Sequence, residues 1–166
     1  NGTEEGTTAI KDLAIASKIW QSNDYKYLIF LADDGEHGKE LWKTDGSKEG
    51  TNLIKDITVG KSNSEISFFG EIDNKLLFII AQGNNCQLWR TDGSTQETVL
   101  IKDFYNDTSE SKIIYFDKVG RNLLFKANDG VHGEELWKTD GSTEGTILVK
   151  DINTGEDDSN LSFIWK

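Results

Sequence analysis

The stretch ELWKTDGSKEGTNLIKDI (residues 40–57) returns almost unchanged as ELWKTDGSTEGTILVKDI (residues 135–152). A third, more divergent copy surrounds Trp89, so that Trp42, Trp89 and Trp137 each follow a Leu and precede an x-Thr-Asp-Gly-Ser segment, at spacings of 47 and 48 residues. Self-similarity at a fixed period of this length is typical of repeat architectures. We therefore predict that the chain is built from internal repeats.

The repeats cover the whole chain as one array. The downstream half of the motif, a Gly-(Ser/Thr)-x-x-x-Thr segment that leads into Lys-Asp, occurs once more at residues 2–12. We expect a partial repeat at 1–24, followed by repeats at about 25–72, 73–119 and 120–166. Because the array begins and ends within a repeat, we also expect the chain to be a piece of a longer or processed protein.

Each period contains four short segments with strand character. In the last repeat they are NLLFKAND, EELWKTD, TILVKDI and NLSFIWK. They are rich in β-branched and aromatic residues and are separated by Gly, Asn and Asp clusters, which is the pattern of antiparallel strands joined by turns. A parallel β-helix would need shorter rungs, and a β-sandwich would not repeat so closely. The sequence therefore predicts an all-β, β-propeller-like array of four-stranded antiparallel blades, about 3.5 blades in this chain.

The repeated motif itself predicts a blade's inner hairpin. In a strand the side chains alternate between faces, so Leu and Trp point to opposite sides and each can fill a layer between neighbouring blades. We predict these core positions: Leu41, Trp42, Leu88, Trp89, Leu136 and Trp137. The Asp-Gly step provides a residue that bonds local backbone and one that accepts a positive φ. We place turns at Asp45–Gly46, Asp92–Gly93 and Asp140–Gly141, and expect the preceding Thr to bond the turn backbone.

These residues resemble a known repeat. ELWKTDGSKEGT and ELWKTDGSTEGT, with LADDGEHGKELW and KANDGVHGEELW upstream and LIKDI or LVKDI downstream, are similar to the ELWxxDGT repeat proteins of bacteria. The resemblance covers essentially the whole chain. It implies large secreted or surface proteins with propeller-like arrays, and brings no established catalytic activity. The family's usual Pro-Gly after the Lys-Asp strand is replaced here by Val59–Gly60, Thr154–Gly155 and, in the middle repeat, Asn106–Asp107.

Two turns, ADDGEHG (residues 32–38) and ANDGVHG (residues 127–133), contain the side chains that are most suited to binding or chemistry. Their oxygen-bearing side chains could bind a hard cation such as Ca²⁺, which takes six to eight oxygen ligands. The candidate ligands are Asp33, Asp34, Glu36, Asn128 and Asp129. The alternative is a plain hairpin in which the His caps a backbone group. The middle repeat, AQGNNCQ, has neither acid nor His at this place.

Candidate ligand-binding residues lie in the turns and in the loop after each Lys-Asp strand. His37 and His132 are the only histidines and occupy equivalent positions, which favours a structural or binding role because active sites normally combine dissimilar groups. The loop after the Lys-Asp strand varies most between repeats, and variable loops on a rigid scaffold commonly bind ligands. Its candidate residues are Asp107, Asp157 and Asp158, with a merely solvated turn as the alternative.

Composition narrows the possible partners. Eighteen basic and 29 acidic residues give a net charge of −11 over 166 residues, which disfavours binding to nucleic acid or to an anionic membrane. The apolar runs have the length of a strand and are too short for a membrane-spanning helix. A single cysteine cannot form an internal disulfide.

We therefore expect a non-catalytic extracellular or cell-surface scaffold that binds a protein or glycan, self-associates or joins further repeats of a parent chain. One alternative is a Ca²⁺-dependent lectin-like glycan-binding module. Another is a non-catalytic part of a larger propeller enzyme.

Overall fold

A computed structural model describes residues 9–24, 26–82, 85–105 and 113–161, and in these residues every regular element is a β-strand. Twelve strands form three four-stranded antiparallel sheets, each in chain order across the sheet. Sheet A contains β1 (Ala14–Gln21), β2 (Leu28–Asp33), β3 (Lys39–Thr44) and β4 (Asn52–Lys55). Sheet B contains β5 (Glu65–Ile72), β6 (Lys75–Gln82), β7 (Asn85–Thr91) and β8 (Val99–Tyr105). Sheet C contains β9 (Ile114–Val119), β10 (Asn122–Asn128), β11 (Glu134–Thr139) and β12 (Ile147–Lys150).

The prediction of an all-β chain made of four-stranded antiparallel sheets is confirmed. The chain divides into two compact units, one with sheet A and residues 93–95, the other with sheets B and C. Across the described ranges there is no helix that is long and apolar enough to cross a membrane. The fourth strand expected in the last repeat is NLSFIWK (residues 160–166). From position 162 onward it lies outside the described residues.

The sheets begin one strand earlier than the expected repeats. The repeat boundary at 72/73 falls inside a hairpin, because β5 pairs with β6 in sheet B and not with β4 in sheet A. The reason is the turn Asp73–Asn74, in which both residues have positive φ, 49° and 59°. Two such residues form the two-residue turn that suits the twist of a β-hairpin. The β4–β5 connection is instead the longer loop 56–64.

Sheets B and C pack through two unlike faces. The leucine face of a sheet is the side that carries the Leu of the Leu-Trp pair, and the tryptophan face is the side that carries the Trp. Leu88 and Ile101 of the leucine face of sheet B lie in one buried cluster with Phe125 and Trp137 of the tryptophan face of sheet C. This contact buries apolar surface of both sheets, the main favourable term in folding.

Aromatic rings fix the geometry of this contact. The Phe104 ring of β8 lies edge-on to Phe125 at 5.6 Å and to Trp137 at 5.1 Å between centroids. Edge-to-face pairs at such distances are favourable beyond their buried area. Lys102, also on β8, places its Nζ 5.0 Å from the centroid of the Trp137 ring, a cation–π contact. One strand of sheet B therefore supplies both a ring and a cation to the tryptophan of sheet C.

The tryptophan face of sheet A has a smaller cluster. Phe30, Ala32 and Trp42 are buried there, with Leu13 and Leu53 packed against them. The predicted core positions are not equally buried: Trp89 and Leu136 are half-buried, whereas the other four are within 4% of full burial. Leu136 is accessible because it lies on the leucine face of sheet C, which sheet B does not cover.

The Asp-Gly turn is part of a longer self-bonded loop. Gly46 has a φ of +92°, and its N–H donates to Thr44 Oγ1 at 3.0 Å. Asp45 Oδ1 accepts from the N–H and the hydroxyl of Ser47 at 2.9 and 2.7 Å. Thr51 donates to the Ser47 carbonyl at 2.6 Å. Sheet C repeats these contacts through Thr139, Asp140, Gly141, Ser142 and Thr146. The expected tight turn is therefore a seven-residue loop, 45–51, whose polar groups are satisfied locally.

Candidate functional site

Two loops meet at one end of sheet A. The histidine loop (residues 34–38) joins β2 to β3, and the clasp loop (residues 56–64) follows β4. A Cβ on Gly38, where φ is +66°, would lie 2.5 Å from the Ser62 carbonyl oxygen, so only glycine allows this approach. Lys39 N–H donates to Asn63 Oδ1 at 2.9 Å, and Ser64 N–H donates to the Lys39 carbonyl at 3.0 Å. The clasp loop is therefore bonded to the start of β3.

Sheet C has the same pair of loops, histidine loop 129–133 and clasp loop 151–159. A Cβ on Gly133 would lie 2.6 Å from the Asp157 carbonyl oxygen. Glu134 N–H donates to Asp158 Oδ1 at 2.8 Å, and Ser159 N–H donates to the Glu134 carbonyl at 3.1 Å. Asp158, a predicted ligand residue, thus takes the structural position of Asn63. Asp157 is exposed, and Asp107 lies outside the described residues.

Inside the histidine loop of sheet A, one carboxylate organises the turn. Asp34 Oδ1 accepts from the backbone N–H groups of Glu36 and His37 at 3.0 and 2.9 Å, and Oδ2 contacts His37 Nδ1 at 2.8 Å. Burial opposes ionisation of Asp34, but these hydrogen bonds outweigh it and lower its pKa to about 2. The bond to Asp34 raises the pKa of His37 above its ordinary value of 6.5, although burial opposes this.

The histidine loop of sheet C repeats this arrangement. Asp129 Oδ1 accepts from the N–H groups of Val131 and His132, each at 3.0 Å, and Oδ2 lies 2.9 Å from His132 Nδ1. Burial again opposes ionisation, but the bonds from His132 and the backbone lower the pKa of Asp129. The pKa of His132 is raised through its bond to Asp129. In both loops the aspartate therefore favours the protonated form of the histidine beside it.

The residues predicted as cation ligands hold their own turns together. Asp33 Oδ1 accepts from Gly35 N–H at 2.7 Å, and Asn128 Oδ1 accepts from Gly130 N–H at 2.7 Å. Glu36 is exposed. Within the described part of the chain, no three His, Cys, Asp or Glu side chains are grouped so that they could hold a metal ion.

The residue that sequence reasoning missed is the Glu of the Glu-Leu-Trp triplet. Glu40 is completely buried, on the same face of β3 as Trp42 and opposite the small Ala32 of β2. Its Oε1 accepts from Thr58 N–H at 3.0 Å and from the Ser64 hydroxyl at 2.6 Å, so it pins both ends of the clasp loop. Burial raises the pKa of the Glu40 carboxyl, although the bonds from Ser64 and the loop backbone oppose this. The signal in the sequence was the position of an acid two residues before a core Trp.

Glu135 is the equivalent residue of sheet C, and it bonds the first part of the clasp loop. It is completely buried, and its two oxygens accept from the N–H groups of Ile152 and Asn153, both at 3.1 Å. One oxygen in each clasp loop is nevertheless buried without a partner in the structure, Asp56 Oδ1 in sheet A and Asp151 Oδ1 in sheet C. In sheet A, Glu40 Oε2 on β3 is a second oxygen that is buried without a partner in the structure.

Sheet B lacks this site. Its β6 and β7 remain paired as far as Gln82 and Asn85, which leaves no histidine loop. Gln87 replaces the buried Glu; its amide donates to Asp103 Oδ1 at 2.7 Å, and its Oε1 accepts from Trp89 Nε1 at 3.0 Å. The site therefore occurs in two of the three described sheets.

The chain shows a structural likeness to TolB from Acinetobacter baumannii, with a TM-score of 0.48 and 14% sequence identity over 83% of this chain. The match covers 32% of that TolB chain, so this chain spans about a third of its length. No protein-family model matches the sequence, and no curated protein matches it. The function is therefore inferred from the residues of the chain itself.

We expect Asp34→Asn to return the His37 pKa toward 6.5, because the ion pair is lost, while the His132 pKa stays raised as an internal control. Two-dimensional NMR titration of the two imidazoles measures both values in one sample. The raised histidine pKa stabilises the folded chain at low pH, and this contribution is lost as the pH rises through that pKa. The lowered Asp34 pKa stabilises the folded chain at higher pH, and this contribution is lost as the pH falls toward about 2. An unchanged His37 titration would show that a group other than Asp34 sets its pKa.

We expect Glu40→Ala to lower the free energy of unfolding by about 2–4 kcal/mol, because it leaves the Thr58 N–H and Ser64 hydroxyl donors unpaired and opens a cavity. Glu40→Gln keeps an acceptor and should cost less.

The stability advantage of the wild-type chain over Glu40→Gln should be largest below pH 4.5 and decline as pH rises, because burial raises the Glu40 pKa. Urea unfolding of the wild type and both variants at several pH values measures this. Equal costs for the Ala and Gln variants would contradict the hydrogen-bonding role of Glu40.

Proposed function

We propose that the chain is a propeller-type repeat module that acts as a non-catalytic scaffold and presents paired loops to a protein or glycan partner. One observation carries this proposal: sheets A and C build the same histidine and clasp loops with most of the same hydrogen bonds, yet expose different side chains on them. Glu36 is replaced by Val131 and Lys61 by Glu156, and all four are exposed. Variable side chains on a rigid framework are typical of binding surfaces.

The packing of sheet B on sheet C supports the propeller-type arrangement. A leucine face on a tryptophan face is a contact that each repeat can make with the next, as blades of a propeller do. The resemblance to ELWxxDGT repeats supports an extracellular or cell-surface location. The net charge of −11 supports partners other than nucleic acid or anionic lipid.

The Asp–His pairs support a non-catalytic role. In the described residues, the Nδ1 atoms of His37 and His132 hydrogen-bond Asp34 and Asp129, and neither ring bonds a hydroxyl or thiol. Nucleophilic catalysis needs such a group within hydrogen-bond reach of a base. The two pairs are also equivalent, whereas an active site combines dissimilar groups at one centre.

The second candidate is a Ca²⁺-dependent glycan-binding module. The observation that favours it is the set of buried oxygens without partners, Glu40 Oε2 and Asp56 Oδ1 in sheet A and Asp151 Oδ1 in sheet C. Buried carboxylate oxygens are suitable ligands for Ca²⁺. The clasp loops would then hold the ion, and the predicted ligands of the histidine loops would not.

A glycan array probed with and without Ca²⁺ tests both candidates. If the chain is the scaffold, we expect glycan binding that does not need Ca²⁺. We also expect the charge swap Lys61→Glu with Glu156→Lys to change this binding, because both side chains are exposed on the loops. Val59→Ala, at a side chain that is 85% exposed in the same clasp loop, serves as the control of unchanged charge.

Calorimetric titration of Ca²⁺ separates the candidates independently. The scaffold predicts no heat and no shift in Tm. If Ca²⁺ binding releases or absorbs heat that Asp56→Asn abolishes, and if glycans bind only in Ca²⁺, the lectin-like module is favoured over the scaffold. No binding of any glycan in either condition would remove glycans as partners.

A further inference from the structure

We propose that sheets B and C hold a binding site for one neutral pyranose ring of a glycan. The site is the rim cleft, a cleft of about 170 Å³ between the β5–β6 hairpin of sheet B and the Asp-Gly loop of sheet C (residues 140–146). Its lining residues are Ile72, Asp73, Lys75, Arg90 and residues 140–142. The cleft lies at the opposite end of β11 from the histidine loop, so this site goes beyond the scaffold role proposed above.

Sheet A shows what fits beside an Asp-Gly loop. Tyr27 is the equivalent of Lys75 of sheet B, because each precedes the Leu that pairs with the Thr of the Asp-Gly motif. The Tyr27 ring packs against Gly93, since a Cβ on this glycine would lie 3.0 Å from Tyr27 Cε2. Lys43 Nζ lies 4.0 Å from the centroid of the same ring. A six-membered ring beneath a cation therefore covers the glycine there.

The equivalent place in the unit of sheets B and C is open. Lys75 takes the position of Tyr27, and Arg90 takes the position of Lys43. Apart from chain neighbours, the heavy atom nearest to a Cβ on Gly141 would be Leu77 Cδ1, at 3.8 Å. The space that a ring occupies in sheet A is therefore available to a ligand here.

The size and lining of the rim cleft suit a single ring. Its volume of about 170 Å³ is below the roughly 300–1,000 Å³ of pockets that hold drug-sized ligands. Ile72 is the apolar side chain of the lining, and the faces of a pyranose carry C–H groups that pack on such a surface. The edge of the ring carries hydroxyls, which need polar partners.

Two cations provide hydrogen-bond donors for those hydroxyls. Arg90 Nη1 donates to the Gly141 carbonyl at 2.9 Å, which fixes the guanidinium beside the cleft. Arg90 Nη2 lies 3.6 Å from Glu97 Oε2, which is beyond hydrogen-bond distance. Lys75 Nζ donates to the same Glu97 oxygen at 2.9 Å and so uses one of its three N–H groups. Both side chains can therefore donate to a ligand while Glu97 still balances charge beside them.

The charges around the rim cleft are already paired, which favours a neutral ligand. Glu97 pairs with both lining cations, and the lining acid Asp73 pairs with Arg121. The other lining acid, Asp140, accepts from the N–H and the hydroxyl of Ser142 within its own loop. An anion would have to compete with Glu97 and approach a chain of net charge −11. A sugar hydroxyl both accepts and donates, so it can bond these groups without separating an ion pair.

NMR titration of the ¹⁵N-labelled chain with methyl glucoside, galactoside and mannoside tests the site. We expect the backbone signals of residues 72–75 and 140–142 to shift for at least one of them, with a Kd on the order of millimolar because one ring makes few contacts. Absence of these shifts for all three sugars up to about 50 mM would overturn the proposal. Tighter binding of methyl glucuronoside than of every neutral sugar would overturn the assignment of a neutral ligand.

Lys75→Tyr tests the location, because it places in the rim cleft the ring that sheet A has at this position. We expect it to weaken sugar binding by about tenfold or more without lowering Tm. Ile114→Tyr, at a side chain that is 42% exposed at the start of β9, adds the same ring away from the cleft and should bind as the wild type does. Equal binding by Lys75→Tyr and the wild type would contradict the site.

Arg90→Lys tests the donors without filling the cleft. It keeps the charge and introduces the residue that sheets A and C have at this position, Lys43 and Lys138, but it removes the planar fork of the guanidinium. We expect binding to weaken by about fivefold, with the fold unchanged. Binding equal to that of the wild type would overturn the role of Arg90.

The loop charge swap separates this site from the scaffold role. Lys61→Glu with Glu156→Lys leaves the rim cleft intact and should not change the NMR titration. An unchanged titration together with no effect of the swap on the glycan array would remove only the loop function proposed above. A swap-dependent array signal without shifts at residues 72–75 and 140–142 would remove only the rim cleft site.

Discussion

The fold depends on the contact of a leucine face with a tryptophan face. The strand that carries Glu-Leu-Trp is apolar on both sides, so a sheet built on it must be covered on both faces to remove that surface from water. Sheets B and C satisfy half of this requirement through Phe104, Phe125 and Trp137. A sheet of this kind is incomplete alone, which is the physical reason for repetition.

The same strand connects the core to the candidate site. Glu40 and Trp42 point to one face of β3, so the buried carboxyl that holds the clasp loop lies beside the ring that forms the core. In sheet B, Gln87 stands at this position and bonds Asp103 and the Trp89 ring nitrogen instead. This substitution in the triplet thus accompanies the absence of a histidine loop between β6 and β7, while the sheet remains. The histidine loop is therefore a feature that differs between repeats on a constant framework.

Much of the fold could be predicted because it is encoded locally. Period-two alternation around Trp42 and Trp137 indicated the strands, and Asp-Gly indicated the turns with positive φ. The sheet boundary could not be read from the repeat, since repetition fixes the period but not its starting point. The turn Asp73–Asn74 decides it, because two residues in the left-handed region close a hairpin between β5 and β6.

The candidate site was only partly predictable. The acidic composition of ADDGEHG suggested cation ligands, but Asp34 forms hydrogen bonds to its own turn and to His37. Composition cannot show this, because it depends on which oxygen faces which N–H group. Glu40 was missed since acids are seldom buried unless partnered, and its partners, Thr58 and Ser64, are 18 and 24 residues away.

The most direct test is a double-mutant cycle between Phe104 and Trp137, measured by urea unfolding of Phe104→Leu, Trp137→Leu and the double variant. If the faces stack as described, the two changes should be coupled by about 0.5–1.5 kcal/mol, the usual value for an edge-to-face aromatic pair. Additive effects, with a coupling below about 0.3 kcal/mol, would contradict the contact on which the account depends.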